Sequence, residues 1–183
     1  MDDQFSLIVF RGGYPVLSFK ESILSQIGRG PVVELQHVNH TECRILAKME
    51  NFNPSGSIKD VMALYMINRA EENEKIREGD KIIEVTTGNT GIAFAMISAL
   101  RGYKFTAVMP ENMSMERRKI MEALGAQLVL TPAAEDMKGA IARYEELAQE
   151  NPDAWLPNQF GNPDNINAHR EITGRSILEQ GCW

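Results

Sequence analysis

The chain contains 183 residues, a length that allows one domain or slightly more and a buried core without disulfide bonds. Its net charge of −6 argues against nucleic acid or an anionic membrane as a partner, and no apolar run reaches the roughly 18 residues of a membrane span. The N-terminus lacks a basic signal region, and Cys43 and Cys182 form neither a disulfide framework nor a metal site, so we expect a cytoplasmic protein.

Short elements are predicted in the first forty residues. Residues 7–10 and 32–35 are apolar runs typical of strands, and the glycines and proline within residues 11–15 predict a turn. Residues 22–28 begin with serine and end with glycine, a pattern that predicts one or two helical turns.

From Arg44 onward, short apolar runs alternate with longer amphipathic or buried stretches. The predicted strands are residues 45–47, 81–85, 105–109 and 127–130. The predicted helices are residues 57–73, 91–100, 115–124 and 137–149. This alternation is typical of βαβ units, so we expect an α/β fold whose parallel sheet carries helices on both faces.

A lysine stands at the start of the first long predicted helix. Residues 53–60 read Asn-Pro-Ser-Gly-Ser-Ile-Lys-Asp, which predicts a tight turn, and Ser57 with Asp60 resembles a capping box. Lys59 then lies in the first helical turn, where the partly positive helix N-terminus disfavours a cation and suits an amine acting as nucleophile or base. A solvated lysine that tolerates a small penalty is the alternative.

A second polar segment links a predicted strand to a predicted helix. Residues 86–91 read Thr-Thr-Gly-Asn-Thr-Gly, a turn whose backbone N–H groups and hydroxyls can bind an anion. The segment is neither a Walker loop nor a Gly-x-Gly-x-x-Gly turn, and its hydroxyls and amide suit a small carboxylate better than a diphosphate. An ordinary polar helix cap is the alternative.

Other catalytic and metal sites find no support in the sequence. There is no Gly-x-Ser-x-Gly nucleophile elbow. His37, His40 and His169 lack metal-ligand spacing with a cysteine or carboxylate pair, so we expect no metal. His37 and His40 lie in a polar turn, where we expect them to be solvated.

These segments together resemble the cysteine synthase (O-acetylserine sulfhydrylase) family of pyridoxal-phosphate enzymes. The resemblance continues through residues 109–118, 125–128 and 159–174, and it covers about residues 23–179. It implies the tryptophan-synthase-β fold, an α/β fold with a parallel sheet, here incomplete at its C-terminus.

The resemblance assigns roles to matching residues. Lys59 would carry pyridoxal 5'-phosphate as a Schiff base and then remove the substrate α-proton, and Asn89 would hydrogen-bond the cofactor's ring hydroxyl. The residues that would bind the substrate α-carboxylate are Thr86, Thr87, Gly88, Thr90 and Gln159. The implied reaction is a β-replacement in which O-acetylserine, held as an aldimine, exchanges acetate for sulfide and becomes cysteine.

Two of the departures from the family pattern bear most on function. Thr87 stands where the family usually has serine, which keeps the hydroxyl but adds a methyl group beside the substrate. The family's second portion, with its glycine- and threonine-rich phosphate-binding loop, has no counterpart here. We therefore expect a truncated enzyme: residues 53–160 form the smaller domain, residues 1–52 pack with the larger domain, and residues 161–183 begin that larger domain.

Three interpretations of the function follow. The first is a cysteine synthase that uses an amino-acid substrate and a sulfur donor and is a homodimer when intact. Its missing half is either supplied by a second chain or lost from this sequence. The second is a non-catalytic remnant or binding module. The third is a relative such as cystathionine β-synthase or sulfocysteine synthase. We expect little activity from this chain alone, because each lost hydrogen bond to the phosphate is worth roughly 1.5–3 kcal/mol.

Overall fold

Strands and helices alternate along the computed structural model, which describes residues 8–9, 15–16, 22–37 and 42–181. The strands are β1 (Ile8–Val9), β2 (Pro15–Val16), β3 (Val32–Glu34), β4 (Leu46–Lys48), β5 (Lys81–Val85), β6 (Lys104–Pro110) and β7 (Gln127–Thr131). The α-helices are α1 (Lys59–Glu72), α2 (Asn89–Arg101), α3 (Met115–Ala123), α4 (Asp136–Glu150), α5 (Pro163–Ala168) and α6 (Arg175–Gln180). The remaining helical turns are 3-10 turns at Ile23–Gln26, Glu50–Phe52 and Ala133–Glu135 and a π-helical turn at His169–Gly174.

The central element is a parallel sheet in the order β5-β6-β7. The last four residues of β5 are buried, as expected for a strand that is covered on both faces. Trp155 lies along the other edge of β5, where its N–H donates to the Lys81 carbonyl at 2.9 Å and its carbonyl accepts from the Ile83 N–H at 3.1 Å. The predicted parallel sheet is confirmed.

Helices cover both faces of this sheet because successive strand residues point to opposite sides. Ile82 packs into one cluster with side chains of α1 and α2, among them Met66 and Phe94. Ile83, the next residue, packs into a second cluster with Leu147 of α4. Each fully buried apolar side chain of this size stabilises the fold by roughly 1.5–3 kcal/mol.

Local signals set the ends of the helices close to their predicted positions. Helix α2 ends at Gly102, whose φ of +76° lies in the left-handed region that glycine adopts without strain. Helix α3 begins after Ser114, whose side-chain oxygen accepts the Arg117 N–H at 3.4 Å. All four predicted long helices are confirmed, with ends that differ by at most two residues.

The described N-terminal elements form two small antiparallel sheets, β1 with β2 and β3 with β4. The strand predicted at residues 7–10 is observed at residues 8–9, whereas residues 11–14 of the predicted turn lie outside the described residues. The strand predicted at residues 45–47 is observed at residues 46–48 as β4, which pairs with β3 and not with the parallel sheet. Strand β4 follows β3 after a short connection, which allows antiparallel pairing but is too short for the crossover that parallel pairing needs.

None of the helices in the described ranges is long and apolar enough to cross a membrane.

Candidate active site

Lys59 is the first residue of α1, and the turn before it is held by Asp60. Gly56 has a φ of +85°, which folds the chain back so that Ser55 lies over the first turn of the helix. The buried Asp60 carboxylate accepts the Ser55 N–H at 2.7 Å and also the Ser55 hydroxyl. The predicted capping box is therefore wrong in its pairing: Ser57 accepts the Lys59 N–H at 3.2 Å, but Asp60 bonds Ser55 instead of returning to Ser57.

The Lys59 side chain is half-buried and has no hydrogen-bond or ion-pair partner within the described residues. Its charge nevertheless acts on His169, at the start of the π-helical turn. Burial lowers the pKa of the His169 imidazole, and the nearby Lys59 charge lowers it further, while Glu50 acts in the opposite direction. The His169 Nδ1 lies 3.1 Å from the Thr173 hydroxyl oxygen. An amine with no counter-ion at a helix N-terminus suits nucleophilic or proton-transfer chemistry.

The predicted anion-binding segment forms the loop between β5 and α2. Thr86 is buried, and its hydroxyl oxygen accepts the N–H groups of Gly88 and Gly91, each at 3.1 Å. A Cβ atom at Gly91 would lie 2.5 Å from the Met121 sulfur, so a larger residue there would displace the side chains packed against it. The role that the structure shows for Thr86 is to shape the loop.

The outer side of this loop presents uncommitted hydrogen-bond donors. The Thr87 and Asn89 side chains are exposed, and neither has a hydrogen-bond partner within the described ranges. The same holds for the backbone N–H groups of Thr87, Asn89 and Thr90. The Arg117 guanidinium lies beside the loop, 3.4 Å from the Thr87 carbonyl oxygen. Free donors, a helix N-terminus and a nearby cation together favour a bound anion.

Gln159 is buried and joins this loop to β5. Its Oε1 accepts the Thr90 hydroxyl at 2.7 Å, and its Nε2 donates to the Val85 carbonyl at 3.1 Å. Its backbone N–H donates to the Glu84 carboxylate at 3.1 Å. The amide of Gln159 retains one further N–H, which points to no described acceptor and remains available to a ligand.

Glu84 is the residue of this region that the sequence reasoning missed. It is only 1% exposed, and burial raises the pKa of its carboxyl to about 7 against the opposing effect of the backbone N–H donors of Gln159, Val85 and Asn158. A charged residue between the apolar residues Ile83 and Val85 of a predicted strand was the sequence signal that could have identified it.

The structure thus connects some predicted site residues directly and others only through the packing of helices. Thr86 bonds Gly88 within the loop, and Thr90, at the end of the same loop, bonds Gln159. Thr87 and Asn89 lie on the same loop. Lys59 begins α1, which packs beside α2, although no hydrogen bond joins Lys59 to the loop within the described part of the chain.

The three histidines differ in their surroundings. His37 is exposed, as predicted, and His40 lies outside the described residues. His169 is half-buried beside Lys59.

Comparison with known proteins decides the family. A family profile described as "Pyridoxal-phosphate dependent enzyme" matches residues 23–181. The chain belongs to this family. A cysteine synthase of Flavobacterium is 49% identical over 159 residues, which are 87% of this chain and 52% of that protein. The chain therefore spans about half the length of the curated relatives it matches.

Solved structures of pyridoxal-phosphate enzymes share the fold of this chain. The crystal structure of an O-ureido-L-serine synthase superposes with a TM-score of 0.84 at 43% identity, covering 88% of this chain and 51% of that one. The structure of O-acetyl serine sulfhydrylase isoform 3 from Entamoeba histolytica gives a TM-score of 0.82 at 40% identity, covering 95% and 52%. The α/β fold and the family predicted from the motifs are confirmed.

The residues present suit the cofactor of the family. Pyridoxal phosphate carries an aldehyde, which reacts with an amine that is not engaged elsewhere, and Lys59 is such an amine. The Asn89 carboxamide has no described partner and can bond a ring substituent. Lys59 and Asn89 are thus the residues that could hold the cofactor.

Proposed function

We propose that the chain provides the lysine and the carboxylate-binding loop of a cysteine synthase-like enzyme, which converts O-acetylserine and sulfide into cysteine and acetate. The observation that carries this proposal is the Lys59 amine at the start of α1, which has no partner among the residues that the structure describes. Helix α1 packs beside α2, whose N-terminal N–H groups are likewise unbonded within those residues. The names of the relatives, cysteine synthase and O-acetyl serine sulfhydrylase, support the same reaction.

Each residue has a definite task in this reaction. Lys59 attaches the cofactor and afterwards moves the proton at the substrate Cα, for which its half-buried position and lack of an ion pair are suited. Asn89 bonds the cofactor ring. When bound, pyridoxal phosphate withdraws electrons from the substrate Cα.

The α-carboxylate of the substrate binds at the loop of residues 86–90. Thr87 and Thr90 supply backbone N–H groups that no described residue accepts, and Thr86 fixes the shape of the loop. Gly88 leaves room for the Arg117 side chain to lie beside the loop. The second N–H of the Gln159 amide completes this set of donors. The extra methyl group of Thr87, relative to serine, narrows the space beside the substrate.

The domain division belongs to the same proposal. Residues 53–160 form the smaller domain, while residues 1–52 and 161–183 belong with the larger one. Contacts between the two terminal segments support this division: the Val32 N–H donates to the Gln180 side chain at 2.9 Å, and the Lys48 amine donates to the Ser176 hydroxyl at 2.9 Å. The complete enzyme is a cytoplasmic homodimer, and the remaining cofactor contacts come from the rest of the family fold.

The attachment of the cofactor tests the role of Lys59 directly. The purified chain is incubated with pyridoxal phosphate, reduced with borohydride and digested, and the modified peptide is identified by mass spectrometry. We expect modification at Lys59, its loss in Lys59→Ala, and its retention in Lys75→Ala, which removes an exposed lysine elsewhere. Modification spread over surface lysines, with none at Lys59, would contradict the proposal.

The sulfur donor separates the proposed reaction from its relatives. Cysteine formed from O-acetylserine and sulfide supports a cysteine synthase. Products formed only with homocysteine or thiosulfate indicate a cystathionine β-synthase or a sulfocysteine synthase instead. Cofactor attachment without any turnover supports the alternative of a non-catalytic binding module.

A further inference from the structure

Glu84 holds a turn that lies far from it in the sequence. Its Oε2 accepts the Gln159 N–H at 3.1 Å, its Oε1 accepts the Val85 N–H at 3.0 Å, and the Asn158 backbone also donates to it. Asn158 has a φ of +52°, a left-handed conformation that turns the chain toward β5. Every group that bonds the carboxylate is a donor, and this arrangement fits the ionised form, which only accepts hydrogen bonds.

The hydrogen bonds continue from this turn to the helix N-terminus. With its backbone fixed by Glu84, Gln159 spans from the Val85 carbonyl to the Thr90 hydroxyl. Thr90 is the second residue of α2 and carries one of the uncommitted N–H groups. The position of this donor is thereby linked to a carboxylate on the neighbouring strand.

Among the described residues, no cation compensates the charge of Glu84. Strand β6 places Ala107 opposite it, and Tyr144 of α4 is the titratable side chain that interacts with it electrostatically. A buried carboxylate without a cation reduces the stability of the fold, so stability alone does not explain an acidic residue here.

We propose that Glu84 is a positioning residue for the α-carboxylate site: its ionised carboxylate fixes the Asn158–Gln159 turn on β5 and thereby orients the Gln159 amide and the Thr90 hydroxyl. This inference rests on the proposed function for its substrate, but the linkage itself is a property of the chain without cofactor. Protonation of Glu84 turns one carboxylate oxygen into a hydroxyl that faces backbone N–H groups, so the hydrogen bonds of the turn weaken as the pH falls below the pKa of about 7. Relief of the buried charge stabilises the fold as a whole over the same pH range, so the expected change is confined to the turn.

Nuclear magnetic resonance of the cofactor-free chain tests the linkage. The amide signals of Gln159 and Thr90 and the carboxyl signal of Glu84 are followed from pH 5.5 to pH 8.5. We expect one shared titration midpoint for all three. In Glu84→Gln, the Gln159 and Thr90 signals should no longer titrate with this midpoint. In the control Glu145→Gln, which removes an exposed carboxylate on α4, they should titrate as in the unmodified protein.

Two outcomes would overturn the proposal. If Gln159 titrates with Glu84 but Thr90 does not, the linkage ends before α2. If neither amide follows Glu84, the carboxylate positions nothing.

Substrate binding to the cofactor-loaded protein gives the second test. If only the ionised form of Glu84 orients the site, the apparent affinity for O-acetylserine falls about tenfold from pH 8 to pH 6, in proportion to the ionised fraction. In Glu84→Gln we expect weak binding throughout and the loss of that dependence. An unchanged pH profile in Glu84→Gln would contradict the positioning role.

The two proposals fail in different ways. Shared titration without any reaction of O-acetylserine leaves the positioning role intact and counts against the proposed function. Turnover of O-acetylserine without a shared titration supports the proposed function and counts against the positioning role of Glu84.

Discussion

Two buried carboxylates hold the two sides of the candidate site, and they do so over very different distances along the chain. Asp60 bonds Ser55, five residues before it, and shapes the turn that precedes Lys59. Glu84 bonds Gln159, 75 residues after it, and joins the sheet edge to the anion-binding loop. The Asp60 contact forms as soon as its turn and helix form, whereas the Glu84 contact requires the assembled sheet. The lysine side of the site is therefore locally encoded, and the carboxylate side depends on tertiary structure.

Removing the local contact should have the largest effect on stability. Asp60→Ala leaves the Ser55 N–H and hydroxyl without their acceptor next to a buried site. The loss of two hydrogen bonds to a charged group, offset in part by removal of the buried charge, should lower the free energy of unfolding by about 3 kcal/mol. Urea denaturation followed by circular dichroism measures the change. A loss below about 1 kcal/mol would show that Asp60 does not hold the turn.

The contact between Glu84 and Gln159 should instead affect how the stability of the protein depends on pH. The pKa of Glu84 is raised to about 7 in the folded state, so the folded protein binds this proton more tightly than the unfolded chain does. The stabilisation is present at low pH and is lost as the pH rises through 7. Between pH 5.5 and pH 8, the ionisation of this group lowers the free energy of unfolding by about 2 kcal/mol.

Glu84→Gln measures that cost. Its stability relative to the unmodified protein should improve by about 2 kcal/mol from pH 5.5 to pH 8 in urea denaturation. Glu145→Gln, with the same change of charge on the surface, should show no such trend. A constant difference for Glu84→Gln at all pH values would mean that Glu84 titrates normally.

The same contrast explains which parts were predictable from the sequence. The parallel strands and long helices follow from local patterns of apolar residues, and the position of Lys59 follows from the turn residues that precede it. Even here the partner of Asp60 was misassigned, because the left-handed backbone of Gly56 determines whether Ser55 or Ser57 reaches it. The link between Glu84 and Gln159 could not be predicted, because it arises when the Trp155 segment aligns with β5 and no local pattern encodes that alignment.

A smaller effect is expected from the last hydrogen bond of the Glu84 unit. Thr90→Val keeps the shape of the side chain and removes the hydroxyl that donates to Gln159 at 2.7 Å, which costs about 1 kcal/mol. In double-mutant cycles Thr90→Val should couple with Glu84→Gln and add independently to Asp60→Ala, because only the first pair shares a hydrogen-bonded unit. Coupling between Thr90→Val and Asp60→Ala would instead show that the two sides of the site are energetically linked.

An effect of similar size to that of Thr90→Val is expected in the turn before Lys59. A Cβ atom at Gly56 meets no atom within 4 Å, so Gly56→Ala introduces only the strain of a left-handed φ, about 1 kcal/mol. The midpoint of thermal unfolding should fall by about 2–4 °C. The matched Gly91→Ala, which forces a Cβ against Met121 and Thr86, should be more destabilising, and equal effects would contradict the packing at Gly91.

Trp155 makes the carboxylate side of the site observable by fluorescence. Its backbone is bonded to Lys81 and Ile83, its indole ring lies 6.3 Å from the Phe94 ring in an edge-on arrangement, and the segment it begins leads directly to Gln159. In a Trp183→Phe background, Trp155 is the single tryptophan of the chain, and excitation at a wavelength that tyrosine does not absorb selects its emission. A shift of its emission to longer wavelengths would report water reaching the indole as the segment separates from the sheet, in real time and without a label.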